Sequence, residues 1–170
     1  LAANMEYYTD RNYTLTSVPY GYIGMDAILT PNDERNYTDA TDYLTFTMPE
    51  NGMVYVAYDA RATALPNWMS GFSSTGDRIY TSLSTQPYLN VYSRSYNAGE
   101  CVNLGANKGS GFSGNTVSNF MVFYGDGANL PSPTCILDYD FEQTSLAANM
   151  EYYTDRNYTL TSVPYGYIGM

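Results

Sequence analysis

MVYVAYD (residues 53–59) decides the fold class, because it joins β-branched and aromatic residues in a short run that fits a pleated strand. Runs of this kind, bounded by turn formers, predict β-strands. The same pattern recurs along the chain at NYTLTSV (12–18), DYLTFTM (42–48), RIYTSL (78–83), YLNVYS (88–93), CVNL (101–104) and NFMVFY (119–124). Short strands at this spacing predict an all-β chain that folds as an antiparallel β-sandwich of the jelly-roll or immunoglobulin-like kind.

Turn formers between these runs predict how the strands connect. MPENGM (48–53) is expected to form a hairpin, since an Asn-Gly pair adopts positive φ at little cost. RATALPNWMSGF (61–72) is the one stretch suited to a helical turn, and Pro66 keeps that turn short.

The first 25 residues of the chain, LAANMEYYTDRNYTLTSVPYGYIGM, recur without a change as residues 146–170. The unit therefore restarts at Leu146, 145 positions after Leu1. A period of this length is too long for a solenoid repeat, but it matches one ordinary domain of roughly 100–150 residues. We expect a β-sandwich module at residues 1–124, a linker or inter-module strand at 125–145, and the start of the next identical repeat at 146–170.

The charge balance excludes several classes of partner. The chain has 7 basic and 17 acidic residues and a net charge of −10, which repels phosphate backbones and anionic lipid surfaces. No apolar run is long enough to predict a membrane span. The N-terminus lacks the pattern of a signal peptide, as expected of an internal piece of a longer secreted precursor. We expect an extracellular, cell-surface location with neither nucleic-acid binding nor a membrane span.

Two cysteines, Cys101 and Cys135, fall once each in the unit, and we expect them to form a disulfide. Two separate reduced thiols are the alternative. The chain has no histidine and no C-x-x-C motif, which excludes an ordinary zinc site and an attached c-type haem.

Three stretches resemble an accessory β-sandwich module of large secreted bacterial proteins, among them adhesin-like and filament-like proteins and proteins that carry glycan-active domains. The stretches are VYVAYDARATALPNWMSGFSSTGD (54–77), VYSRSYNAGECVNLGANKGSG (91–111) and NFMVFY (119–124). Pro-x-Trp and Leu-Gly-x-Asn keep their order and spacing in this pattern. The resemblance implies an accessory, non-catalytic role. Cys101 and the perfect duplication depart from the pattern and favour a structural specialisation.

Catalytic residues are not expected. Without histidine the usual base for a serine or cysteine nucleophile is missing, and the carboxylates show no acid and base pair held in one cleft. We interpret the acids as solvated turn residues and predict that the chain is not an enzyme. Asp59 and Arg61 lie at i and i+2 of an extended segment, so an ion pair with each other or with a turn is expected rather than a ligand contact.

Trp68 and four carboxylates at the joint are the candidate ligand-binding residues. Trp68 has two interpretations: a platform on which a sugar ring stacks, or a core residue that closes a loop over the sandwich. No cofactor is expected except, as an alternative, calcium. Its candidate ligands are Asp126, Asp138, Asp140 and Glu142.

Three Asn-Tyr-Thr sequons, at Asn12, Asn36 and Asn157, are candidate glycosylation sites. Each has an acidic residue two positions earlier, a form that resembles the bacterial N-glycosylation acceptor. The alternative is that these are strand starts that carry a turn asparagine.

The joint between modules carries apolar side chains that need a partner surface, namely Ile136, Leu137, Tyr139 and Phe141. They are expected either to form an edge strand on their own sandwich or to pair with the neighbouring module as an added strand. The sequence therefore predicts a structural subunit of an extracellular filament or stalk whose partners are copies of itself. The alternative function is a carbohydrate-binding or adhesin array that binds glycans through avidity.

Overall fold

The structure is a computed structural model that describes residues 1–39 and 41–125. In these residues it contains ten strands: β1 (Leu15–Ser17), β2 (Asp26–Ile28), β3 (Leu44–Thr47), β4 (Gly52–Asp59), β5 (Ala62–Ala64), β6 (Ser73–Thr81), β7 (Tyr88–Tyr96), β8 (Cys101–Leu104), β9 (Ser113–Gly114) and β10 (Met121–Tyr124). Three short 3-10 turns complete the described elements: Tyr20–Tyr22, Asn32–Asn36 and Asn67–Gly71. None of the helices in this part of the chain is long and apolar enough to cross a membrane.

The strands form one large sheet and two small ones. The large sheet has six strands in the order β1-β6-β7-β4-β10-β2, and the small sheets pair β3 with β8 and β5 with β9. All pairings between these strands are antiparallel. The predicted all-β, antiparallel sandwich class is therefore confirmed, whereas the jelly-roll or immunoglobulin-like topology stays a prediction.

The centre of the large sheet is buried on both faces. Along β4, Val54, Val56 and Tyr58 face one core while Ala57 faces the other, as the two-residue period of a strand requires. All four residues of β10 are buried, because the side chains of this strand alternate between the same two cores. The unbroken apolar character of the β10 sequence follows from this double burial.

The first core lies between the large sheet and the β3–β8 pair. Leu44 and Phe46 from β3 and Val102 and Leu104 from β8 pack against it. The 3-10 turn Asn67–Gly71 closes the end of this core with Trp68, Met69 and Phe72, of which Met69 is 2% exposed.

The second core is closed by residues 1–25, which we call the N-terminal segment. The segment contributes β1 at one edge of the large sheet and runs through the 3-10 turn Tyr20–Tyr22 to Met25, beside β2 at the opposite edge. Its large apolar side chains are buried in that core, with exposures of 0% for Tyr7, 2% for Tyr8, 0% for Leu15 and 7% for Tyr22. One of the two repeated stretches is thus part of the domain core.

The predicted hairpin at residues 48–53 is wrong. β3 pairs with β8, whereas β4 pairs with β7 and β10, so this stretch crosses between two layers instead of joining neighbouring strands. Positive φ is found at Gly99 in the adjacent turn, and neither Asn51 nor Gly52 adopts it. Asn51 instead stabilises this connection through its side chain, because its Oδ1 accepts a hydrogen bond from the Ala98 amide at 2.8 Å.

Other local predictions agree with the structure. Each of the seven predicted strand stretches holds a strand, and the one predicted helical turn appears as the 3-10 turn Asn67–Gly71, directly after Pro66. The short strands β2, β5 and β9 were not predicted, and neither were the 3-10 turns at Tyr20–Tyr22 and Asn32–Asn36.

Candidate functional site

Asp59 at the end of β4 is a buried structural centre. Its side chain forms the ion pair expected from its spacing to Arg61, with 2.7 Å between Arg61 Nη2 and Asp59 Oδ2. The same carboxylate oxygen accepts hydrogen bonds from the amides of Val117 at 2.8 Å and Ser118 at 3.2 Å. All these contacts are internal to the protein, so Asp59 fixes the loop that leads into β10 and does not face a ligand.

Two asparagines complete this polar framework. The Asn107 side-chain amide donates to the carbonyl oxygens of Arg35 at 2.8 Å and Ser118 at 3.1 Å. The Asn119 amide group donates to the Pro31 carbonyl and to the Tyr43 hydroxyl, at 2.9 Å in both cases. The Leu-Gly-x-Asn element of the sequence pattern therefore has a structural role in holding loops together.

Trp68 is held by core contacts. Its indole Nε1 donates to the Ala106 carbonyl oxygen at 3.0 Å, and its ring centroid lies 5.3 Å from that of Phe120 and 6.2 Å from that of Phe72. Gly105 lies against the same ring, because a Cβ at that position would be 2.6 Å from Trp68 Cδ1. These contacts support the core interpretation of Trp68, and the ring remains only partly exposed.

A polar cleft of about 410 Å³ lies on the surface. It is lined by the N-terminal segment, the 3-10 turn Asn32–Asn36, the β6–β7 connection, the loop after β8 and the loop before β10. Three cationic residues line it, namely Arg11, Arg35 and Lys108, and none of the lining residues is acidic. Lys108 is the only lysine of the chain. A cleft lined in this way suits an anionic group, although the whole protein has a net charge of −10.

The three cations differ in how they are compensated. The Arg11 guanidinium contacts the carboxylates of Asp33 and Asp10, the latter at 3.4 Å, and Arg35 Nη1 lies 3.9 Å from Asp33 Oδ1. Lys108 Nζ instead donates to Asn36 Oδ1 at 2.8 Å and has no ion pair among the described residues. The ammonium group of Lys108 is therefore the charge best able to meet a ligand.

A further polar group stands in the same cleft. Thr116 is 4% exposed, and its hydroxyl has no hydrogen-bond partner within the described part of the chain. The sequence did not predict this cleft, since its cations are far apart along the chain. One signal was present: Arg11 and Arg35 each directly precede a sequon asparagine.

The sequons at Asn12 and Asn36 are both exposed, so a glycan attached to either would extend into solvent. Asn36 also lines the cationic cleft, and a glycan there would replace its contact with Lys108. Glycosylation itself stays a prediction at both positions.

Several predicted site residues lie outside the described residues. They are the disulfide partner Cys135, the inter-module residues Ile136, Leu137, Tyr139 and Phe141, the sequon Asn157, and the calcium candidates Asp126, Asp138, Asp140 and Glu142. Cys101 begins β8 and is exposed at the surface of the domain. In residues 1–39 and 41–125, no group of three or more acidic, cysteine or histidine residues is arranged to hold a metal ion.

Comparison with known proteins supports the fold. No protein-family model matches the chain, and no curated protein is significantly similar to it in sequence. A solved structure described as a β-glucuronidase from glycoside hydrolase family 2 is similar, with a TM-score of 0.64 and 22% sequence identity. The match covers 73% of this chain and 12% of that chain. The chain is thus similar in fold to a short part of a much larger glycan-acting enzyme.

Proposed function

We propose that the chain is a non-catalytic β-sandwich module of a tandemly repeated, secreted protein whose modules build an extracellular filament or stalk. The observation that carries the proposal is the unchanged recurrence of residues 1–25 at 146–170. In the described domain these residues close one of two cores, so a recurrence of the same residues restarts a whole module.

The polar framework supports a structural role. Three buried polar residues form hydrogen bonds with loops of the same domain, namely Asp59, Asn107 and Asn119. Modules whose loops are tied together in this way, repeated in series, suit a stalk. The high negative charge keeps neighbouring stalks apart in solution.

The test compares a recombinant chain of three consecutive 145-residue units with the present chain of 170 residues, which holds one unit and the first 25 residues of the next. Small-angle X-ray scattering and negative-stain microscopy should give an extended particle whose maximum dimension grows in equal steps with the number of units. A flexible, monomeric string whose particles show no fixed angle between modules would contradict the filament or stalk.

The cationic cleft favours a second candidate function, carbohydrate binding by an array of modules. Its three cations and its lack of acidic lining residues suit a glycan that bears carboxylate or sulfate groups. The site would therefore be this cleft, and Trp68 would act only through the stability of the fold.

Binding to immobilised polysaccharides, acidic and neutral, tests the second candidate. We expect retention on acidic chains at low salt, weakened at least about tenfold by Lys108→Ala and by raised ionic strength. Arg94→Ala is the matched control, because Arg94 lies outside the cleft and packs over the Tyr96 ring at 4.8 Å. Equal retention on acidic and neutral polysaccharides would exclude the cleft as the binding site. An equal loss of retention in the Lys108→Ala and Arg94→Ala variants would exclude it as well.

A further inference from the structure

Two hydrogen-bond donors of the cationic cleft have unused capacity. An ammonium group has three N–H donors, and that of Lys108 contacts Asn36 Oδ1 at 2.8 Å without an ion pair among the described residues. Thr116 lines the same cleft and is 4% exposed, yet its hydroxyl has no hydrogen-bond partner in residues 1–39 and 41–125. A buried hydroxyl without a partner costs free energy, which a bound acceptor would recover. The pair therefore points to a ligand that accepts hydrogen bonds.

The loops that carry these donors are tied to each other. The Asn107 amide group donates to the carbonyl oxygens of Arg35 and Ser118, at 2.8 and 3.1 Å. This one side chain therefore connects the 3-10 turn Asn32–Asn36, the loop after β8 and the loop before β10, which all line the cleft. The backbone amide of Lys108 donates to the Tyr37 carbonyl oxygen at 2.9 Å. A ligand would meet donors whose backbone is already held, which lowers the cost of ordering the site.

The arginines of the cleft are already engaged. Arginine recognises a planar carboxylate through its own planar fork of N–H groups. The Arg11 guanidinium contacts the carboxylates of Asp10 and Asp33. Arg35 Nη1 donates to the Asn32 carbonyl oxygen at 3.0 Å. The group with donors to spare is a lysine ammonium, which acts as a point charge and suits the terminal oxygens of a tetrahedral anion.

The charge of the site favours an anion with a single negative charge. Lys108 is the one cation of the cleft without a carboxylate partner among the described residues. A sulfate ester carries one negative charge, whereas a phosphate monoester carries about −1.5 to −2 at pH 7. The net charge of −10 adds repulsion against every further negative charge on a ligand. A sulfate ester therefore matches the cleft better than a phosphate ester does.

We propose that the cationic cleft binds the sulfate ester group of a glycan, with the Lys108 ammonium and the Thr116 hydroxyl as donors to its terminal oxygens. The inference rests on carbohydrate binding, the second candidate function, and names the substituent that the modules recognise. Arg11 and Arg35 add attraction through their charge, and their existing contacts keep them in place.

The first test is Thr116→Val in the full chain, which removes the hydroxyl and nearly keeps the shape of the side chain. Because this hydroxyl has no partner in the described domain, the midpoint temperature of thermal unfolding should stay the same or rise. Binding of methyl sulfate, followed by nuclear magnetic resonance titration at low salt, should weaken about tenfold. A lower midpoint together with unchanged methyl sulfate binding would overturn the role of Thr116.

The second test compares anions and removes the charge. The unsubstituted chain should bind methyl sulfate more tightly than acetate or methyl phosphate. Lys108→Ala should weaken methyl sulfate binding at least about tenfold, whereas Arg94→Ala should leave it unchanged, because Arg94 lies outside the cleft. Equal binding of methyl sulfate and acetate, or tighter binding of methyl phosphate, would overturn the assignment to a sulfate ester.

The third test uses two immobilised polysaccharides, chondroitin sulfate and hyaluronan. Both carry carboxylates, but only chondroitin sulfate carries sulfate esters. We expect stronger retention of the chain on chondroitin sulfate. Thr116→Val should reduce that retention and leave retention on hyaluronan unchanged. This variant keeps the net charge, so the result separates a hydrogen bond to sulfate from the higher charge density of chondroitin sulfate.

Failure of the inference and failure of the proposed functions give different results. Equal retention on both acidic polysaccharides, with no change in the Thr116→Val chain, would overturn the sulfate assignment and leave carbohydrate binding in place. Retention on neither would overturn the inference together with the carbohydrate candidate. The extended particle of three units, which tests the filament or stalk, does not depend on either result.

Discussion

At the scale of residues, the described domain is held by buried polar groups whose partners lie far away in sequence. Asp59 is 2% exposed and joins β4 to the loop that enters β10, 58 positions further along the chain. A buried carboxylate is tolerated only when its lone pairs are occupied, and here a guanidinium and two loop amides occupy them. The short sequence motif around Asp59 thus fixes a long-range connection.

Asp59→Asn is expected to destabilise the domain by about 2–3 kcal/mol, because hydrogen bonds to a charged group are replaced by weaker ones and the amide NH2 group of the asparagine is left facing other N–H donors. Urea denaturation followed by tyrosine and tryptophan fluorescence measures the change. Asp39→Asn is the control, since Asp39 is exposed and should change stability by no more than about 0.5 kcal/mol. Equal effects of the two substitutions would refute the structural role of Asp59.

Gly105→Ala tests the packing of Trp68. The added Cβ would stand 2.6 Å from Cδ1 of a ring fixed by its hydrogen bond to Ala106, so the loop must shift, at a cost of about 1–3 kcal/mol. Gly21→Ala is the matched control, because no atom lies within 4 Å of its Cβ position. The midpoint temperature of thermal unfolding should be lowered by Gly105→Ala and not by Gly21→Ala. An unchanged midpoint in the Gly105→Ala variant would show that Trp68 is not packed against Gly105.

At the scale of elements, the large sheet depends on cover from both sides. The β3–β8 pair covers one face and the N-terminal segment covers the other. A fully buried large apolar side chain contributes roughly 1.5–3 kcal/mol, so the four buried residues of the segment together match a typical net stability of about 5–15 kcal/mol. The segment is therefore a required element of the domain.

The strands were predictable from sequence because their signal is local. β4, β7 and β8 lie where β-branched and aromatic runs were recognised, and β8 coincides with its predicted bounds. β2 and β9 were missed because they are two or three residues long and carry no pattern of their own. The hairpin prediction was wrong for a different reason. The residue types at 48–53 suit a tight turn, but the partner of each strand is determined by the layer in which that strand buries its side chains.

Of the candidate sites, the sequence predicted the Asp59–Arg61 pair, left Trp68 open between a sugar platform and a core residue, and missed the cationic cleft. Arg11, Arg35 and Lys108 meet only through tertiary packing, which a local pattern does not encode. The two sequons were recognisable, but their position beside that cleft was not.

The tyrosines packed in the second core make the stability of the domain sensitive to high pH. Burial, followed by the hydrogen bond to Asp77, raises the pKa of Tyr22 to about 12. Burial also raises the pKa values of Tyr7, Tyr8 and Tyr55. The folded state holds these protons more tightly than the unfolded chain, so stability is complete below pH 10, near the ordinary tyrosine pKa. It falls as pH rises through about 12.

Tyr22→Phe should therefore flatten the alkaline loss of stability. One tyrosine contributes a slope of about 1.4 kcal/mol per pH unit between the two pKa values. Urea midpoints measured at intervals above pH 9 should fall less steeply in the variant than in the unsubstituted chain. Parallel slopes in both chains would show that Tyr22 keeps an ordinary pKa and is not buried against the sheet.

At the scale of the whole molecule, recurrence and fold point to the same unit. The described sandwich ends its last strand at Tyr124, and the sequence restarts at Leu146 with the residues that close the second core. The recurrence is the ground on which we propose that the chain is one module of a secreted array.

Electron cryo-microscopy of the native assembly tests the proposed array of modules. We expect density for one β-sandwich per 145 residues, repeated along a regular axis, with a 25-residue segment covering the second face of every six-stranded sheet. A single sandwich attached to unrelated domains, or sandwiches with no regular spacing between them, would contradict it.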